Sequence, residues 1–175
     1  MTKVAFIDLD QTDRSALRAA ERDVDIVVLQ GIARHPLWRN VLSGLARDLD
    51  LVVAGGRGPG AAMAVLTTLS LDVVNSRTVA LSTPPDQRKR AAIFTEYAPA
   101  GRGESARVVV VAVDLSEQEW QRHGVEIDQR IGPLGFTESA DRIVLRVGGE
   151  VLIRKPDATT NRYPLTSGPI ALATI

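Results

Sequence analysis

A chain of 175 residues has the length of one domain, and 45% hydrophobic content is enough to bury its core without disulfide or metal staples. Cysteine is absent, which excludes disulfide frameworks, thiolate metal sites and thiol nucleophiles. Twenty-one basic residues balance twenty-one acidic ones, so bulk charge draws the protein to neither nucleic acid nor anionic lipid.

The amino terminus, MTKVAFIDLD, interrupts its apolar stretch with Asp8 and Asp10, and no run approaches the roughly 18 apolar residues of a membrane span. A soluble, cytoplasmic single domain over 1–175, without membrane contact, is the expectation. Residues 4–9 read as a first strand, and DQTD after them supplies turn chemistry and a helix cap at Thr12 or Asp13. A helix over 14–23 and a short apolar strand over 26–29, of the kind buried on both faces, complete a β-α-β start. Pro36 suits the first turn of a second helix, in which Leu37, Trp38, Val41, Leu42 and Leu45 recur at helical spacing. Strands follow at 51–54, 61–69 and 72–81, with GGRGPG at 55–60 as a loop and Asn75-Ser76 as turn material inside the last of them.

Residues 82–90, STPPDQRKR, read as a turn with a basic end, and strands at 91–97 and 107–113 flank the loop PAGRGES. Ser116 and Glu119 have capping-box spacing and open a helix that carries Trp120, Ile127 and Ile131 on one side and stops near Gly132-Pro133. Strands at 142–147 and 150–154 flank Gly148-Gly149, the two-residue turn of a tight hairpin. Residues 155–168 read as a long polar loop before a closing strand at 170–175. The pattern predicts an α/β (α+β) fold: a two-sheet β-sandwich, mainly antiparallel, flanked by helices.

In this order the elements resemble the endonuclease/exonuclease/phosphatase superfamily, whose DNase-I-like fold packs two sheets between helices. The segment VDIVVLQG at 24–31, GAAMAVLTTLSLDVV at 60–74, Arg90 leading AAIFTEY, VVVVAVDL at 108–115 with Arg122 in the helix after it, and the closing ADRIVLRVGGEVLI and YPLTSGPIALATI fall where that family's elements fall. The resemblance implies metal-dependent phosphodiester hydrolysis, with an early asparagine and a glutamate after Leu-Gln holding a divalent cation that stabilises charge on phosphate. Those places correspond to Asp8 and Gly31, and glycine offers no side-chain ligand to a hard cation. The family's central histidine corresponds to Asp114, which does not donate a proton at neutral pH unless its pKa is greatly raised. No Asp-Phe-Asn segment is recognisable, and Thr166-Ser167-Gly168 stands for the terminal Ser-Asp-His. Asp141 is the clearest family-like polar residue retained. Loss of several residues that act as a unit implies a degenerate enzyme.

Two groups of residues carry the functional expectations. Asp8 and Asp10, two apart on a strand, point the same way and, with Asp114 and Asp141, are the candidates for a rebuilt carboxylate site for magnesium. Solvated strand ends are the bland reading. Arg88-Lys89-Arg90, with Arg102 and Arg107 near it across a hairpin-like connection, is the local basic concentration and the candidate phosphate contact, against a solvated loop. GGRGPG lacks the Lys-Ser/Thr of a P-loop, and Ser105 is not in a nucleophile elbow. His35 and His123 read as structural or exposed, and Trp38 and Trp120 as core before stacking platforms.

The sequence therefore predicts a non-catalytic DNase-I-like module with no resident cofactor, binding a protein or a phosphoester such as nucleic acid. The alternatives are a divergent magnesium-dependent phosphodiesterase or nuclease using Asp8, Asp114 and Asp141, and a structural subunit of an assembly.

Overall fold

The computed structural model describes residues 2–9, 24–32, 37–56, 63–85, 90–99, 107–113, 115, 117–131, 140–147, 150–154, 160–164 and 170–174. These form strands β1 (Lys3–Asp8), β2 (Ile26–Gln30), β3 (Val52–Gly55), β4 (Met63–Thr67), β5 (Leu71–Ala80), β6 (Ala91–Pro99), β7 (Arg107–Ala112), β8 (Ala140–Val147), β9 (Glu150–Arg154), β10 (Thr160–Pro164) and β11 (Ile170–Thr174). Two helices accompany them, α1 (Trp38–Asp48) and α2 (Glu117–Ile131). The helix expected at 14–23, Pro36, most of the GGRGPG loop, the PAGRGES loop, Ser116 of the capping box and the Gly148-Gly149 turn lie outside the described residues.

One sheet has the order β11-β1-β2-β4-β3 and the other β10-β9-β8-β7-β6-β5. Each is antiparallel except at one pair, β1 with β2 and β7 with β8. The two sheets stack face to face. Val4, Phe6, Ile26, Val28, Met63 and Val65 of the first meet Ile93, Tyr97, Val110 and Ala112 of the second in one buried layer. The alternate residues of the same strands point outward and are buried as well. Ala5, Ile7, Val27 and Leu29 pack on Leu42, Leu45 and Ala46 of α1, whereas Ala92, Phe94, Val109 and Val111 pack on Ile127 and Trp120 of α2. The result is a helix-sheet-sheet-helix sandwich of the predicted class. Its double-sided burial explains why the central strands read as unbroken apolar runs.

Two local devices shape the first sheet's margin. Helix α1 ends in a Schellman motif: the Leu51 N–H donates to the Ala46 carbonyl at 2.8 Å and the Asp50 N–H to that of Arg47 at 3.2 Å. Asp50 therefore sits at φ 55°, a place that favours glycine. In β3, a Cβ on Gly55 would lie 2.8 Å from Ile93 Cγ2 and 2.9 Å from Ser76 Oγ, so the edge of the first sheet approaches the second only because that residue has no side chain.

Two expectations are corrected. Asn75 and Ser76 are not a turn; they continue β5, which runs the whole length from Leu71 to Ala80 and absorbs Val74 as a bulge between the Val73–Tyr97 and Asn75–Glu96 pairs. The expected polar loop at 155–168 contains β10, paired with β9 from Thr160–Arg154 to Pro164–Glu150. In β10 the residues are TNRYP, an edge sequence with little apolar signal.

Candidate functional site

The parallel strands β1 and β2 end level with each other, Asp8 opposite Gln30, and the Leu9 N–H donates to the Gln30 carbonyl at 3.1 Å, which keeps the chain beyond β1 against β2. The first residues of β4 and β11 reach the same rim, Met63 opposite Gln30 and Ile170 opposite Ile7. The second sheet joins them through Gln30, whose Nε2 donates to the Val113 carbonyl just beyond β7 at 3.4 Å. One mouth of the sandwich therefore gathers the ends of β1, β2 and β7.

Alternation fixes what these strands present. Asp8 shares the inward parity of Val4 and Phe6, and Gln30 that of Ile26 and Val28. Asp8 is half-buried at the strand end, and Gln30, 7% exposed, lies within the mouth and bridges the sheets. Gly31 follows at φ 78°. Asp10 and Asp114 lie outside the described residues, as does the segment Thr166-Ser167-Gly168. Strand β1 ends at Asp8, and Leu9 follows it as a turn residue.

Asp141 does not belong to this mouth. Strand β8 runs parallel to β7 with Val111 opposite Leu145, so Asp141, near the start of β8, is about six residue rows from the level of Val113, roughly 20 Å at the ordinary strand rise. The proposed grouping of Asp8, Asp114 and Asp141 is thereby broken. The reason is topological: parallel strands put their starts at the opposite end from their finishes. Among the described residues no three His, Cys, Asp or Glu side chains converge as a metal ligand set. Of the carboxylates expected at this mouth, Asp8 is the one that the described residues place there.

The basic segment is likewise divided. Arg88 and Lys89 lie outside the described residues. Arg90 precedes β6, where its carbonyl accepts from the Leu81 N–H at 2.9 Å and its Nη2 contacts Glu119 Oε1 of α2 at 2.9 Å. Arg107 begins β7, next to the Val108–Tyr97 pair at the far end of β6, so the hairpin separates it from Arg90 by the length of the strand. Arg102 lies outside the described residues.

Helix α2 clamps the other end of the 82–90 segment. Glu126 accepts from the Ser82 N–H at 3.0 and 3.1 Å and from its Oγ at 2.9 Å, and His123 Nδ1 stands 3.3 Å from Glu126 Oε2. His123 is buried; His35 lies outside the described residues. Trp120 packs on the second sheet's outer core with its ring against Gly124, where a Cβ would come within 3.1 Å of it. Trp38 packs at the edge of the first sheet's outer core beneath the Arg39 guanidinium, 5.3 Å from the ring centroid.

Residue-level reading missed Gln30 and Tyr97. The signal for Gln30 was present, a polar residue closing the buried run IVVLQ at inward parity. Tyr97 lies between the sheets toward the opposite end, and among the described residues no hydrogen bond of good geometry satisfies its hydroxyl, although the Thr67 and Thr95 hydroxyls lie near it. Burial pushes the phenol far above its ordinary range, and the neighbouring Thr67 and Thr95 hydroxyls counter this only in part.

No family model matches the chain, and no curated protein matches it. Solved structures do. An endonuclease/exonuclease/phosphatase from Bacteroides vulgatus superimposes with a TM-score of 0.56 at 14% identity, over 83% of this chain and 64% of that one. TDP2 of D. rerio, complexed with a single-strand DNA product, gives 0.53 at 14% identity over 84% and 60%. The human Nocturnin catalytic domain with bound sulfate gives 0.51 at 12% identity over 83% and 62%. This chain thus spans about three fifths of the length of these structures. The fold is the DNase-I-like fold of the endonuclease/exonuclease/phosphatase proteins.

Proposed function

We propose that this chain, built on the DNase-I-like fold, is a catalytically degenerate domain that serves as a binding or interaction module. The observation that carries the reading is Gly31. It stands at the mouth, at the end of β2, where the resembling family keeps its metal-holding glutamate, and its φ of 78° is one that side-chain-bearing residues adopt only at a cost of about 1–2 kcal/mol. The backbone there is shaped for glycine, and putting a carboxylate back would meet strain as well as lack partners. Gln30, which corresponds to the glutamine that the resembling family also carries before its glutamate, donates its amide to the Val113 carbonyl and ties the mouth of one sheet to the other.

Phosphoesters are the first ligand class to test. The D. rerio and human proteins bind a DNA product and a sulfate on this fold, and Arg88, Lys89 and Arg90 are the cations of this chain that would meet phosphate. DNA retention that falls with salt and is lost in Arg88→Ala/Arg90→Ala is the expected result for that ligand, and salt-independent retention contradicts it. A protein partner is the other class.

One observation favours a second reading, a divergent magnesium-dependent phosphodiesterase: Asp8 is aimed inward at the mouth. It would need Asp10 or Asp114 beside Asp8, since Asp141 is at the other end of its strand. Hydrolysis of a generic phosphodiester and of plasmid DNA, with magnesium or manganese, separates the two. The degenerate reading expects no rate above that of Asp114→Ala, and activity that this variant abolishes overturns it.

A further inference from the structure

We propose that β5 is a homodimerisation edge, through which two copies of this chain join their six-stranded sheets antiparallel across a two-fold axis at Asn75. This surface runs along a lateral edge and is independent of the mouth, so its failure would leave the proposed function untouched.

Strand β5 closes the second sheet, and among the described residues no strand pairs with its outer side. It is ten residues long and exposes Val73 by 38% and Val74 by 51%. Natural sheet edges are commonly guarded by charges and bulges, because unpaired N–H and C=O groups recruit another strand. Here the bulge is at Val74 and the charges are Asp72 and Arg77, both exposed. Their placement makes them a pairing code.

Asp72 lies opposite Ala98 of β6 and Arg77 opposite Phe94, so the bulge leaves both on the same face of the sheet, four rows of β6 apart. At the ordinary strand rise that is about 13 Å, too far for the two to pair with each other, and among the described residues neither forms an ion pair. Midway between those rows is Glu96, whose partner is Asn75. A second β5 laid antiparallel about Asn75 therefore sets Asp72 directly across from Arg77 of the other copy, and the reverse, at the close spacing of cross-strand neighbours. Val73 falls opposite Ser76 and Leu71 opposite Thr78, each pair sharing a face. Two like charges at these positions would repel a second copy; two opposite charges placed symmetrically about one residue select it.

The absence of cysteine gives a clean test, since a single introduced thiol can cross-link only to a second copy. The expected result is that Asn75→Cys forms a disulfide dimer under mild oxidation, its Cα atoms lying within disulfide reach across the two-fold, whereas Asp72→Cys, facing Arg77, does not. In sedimentation equilibrium, Asp72→Arg and Arg77→Asp should each raise the dimer dissociation constant roughly tenfold, and the double reversal should restore it. Circular dichroism and melting of each variant confirm that it is folded. A wild-type chain that stays monomeric to its solubility limit overturns the proposal, and so does a dimer indifferent to both reversals or one in which Asp72→Cys cross-links as readily as Asn75→Cys.

Discussion

Strands β2 and β5 are both rich in β-branched residues, yet all five residues of β2 are buried and none of the ten in β5 is. Strand β2 sits between β1 and β4, with the inter-sheet core on one face and α1 on the other. Among the described residues, strand β5 pairs with one strand, β6, at the end of the sheet order. The difference shows where each strand's identity comes from. Burial on both faces sets β2 and delivers Gln30 and Gly31 to the mouth, while β5 is held by its ladder to β6 and exposes Asp72, Val73, Val74 and Arg77.

Perturbing the buried side should produce the largest effect. Phe6 is fully buried in the layer shared by both sheets, so Phe6→Ala should cost about 3–5 kcal/mol in denaturant unfolding. The corresponding change on the edge, Val74→Ala, should cost under about 0.5 kcal/mol, and equal losses would erase the contrast drawn here.

At the end of β2, Gln30→Leu leaves the Val113 carbonyl without its donor, and should cost about 1–2 kcal/mol. Gly31→Glu should cost a similar amount through its positive φ, without any gain in melting temperature on adding magnesium. A magnesium-dependent gain in that variant would mean that the mouth still holds a ligand set waiting for one carboxylate.

Tyr97 adds a pH dependence. The folded protein holds the phenolic proton more tightly than the unfolded chain does, so its contribution is full below the ordinary phenol value of about 10 and is lost as pH rises above that. Stability should fall above pH ~10 with a slope of up to about 1.4 kcal/mol per pH unit from this group. Tyr97→Phe should remove that slope and be close to neutral at pH 7, because among the described residues no hydrogen bond of good geometry satisfies the hydroxyl it deletes. An unchanged alkaline slope in the variant would contradict this. The smallest effect is a gain: Asp50→Gly should stabilise by about 0.5–1 kcal/mol by relieving the left-handed residue that ends α1.

The same contrast governs what could be read from the sequence. IVVLQ, AVL within β4 and VVV at 109–111 within β7 are unbroken apolar runs because both their faces are covered, and they were legible as strands. In β5, the polar pair Asn75-Ser76 imitates a turn although it only follows a bulge, and TNRYP in β10 carries little apolar signal. The candidate site was legible in part. Asp8 and Gly31 lie at one mouth, whereas Asp141 and Arg107 sit at the opposite ends of their strands from the residues they were grouped with. Proximity in the sequence pattern carries no information on strand direction, and direction decides which end of a sandwich a residue occupies.

On the degenerate reading, the mouth holds no catalytic cation. The most direct test of that reading is the melting temperature of the wild-type chain and of Asp8→Ala through a magnesium and manganese titration, since a ligand that binds only the folded state stabilises it by mass action. The account predicts the same small, nonspecific response in both proteins. A saturable rise in the wild type that disappears in Asp8→Ala would contradict it.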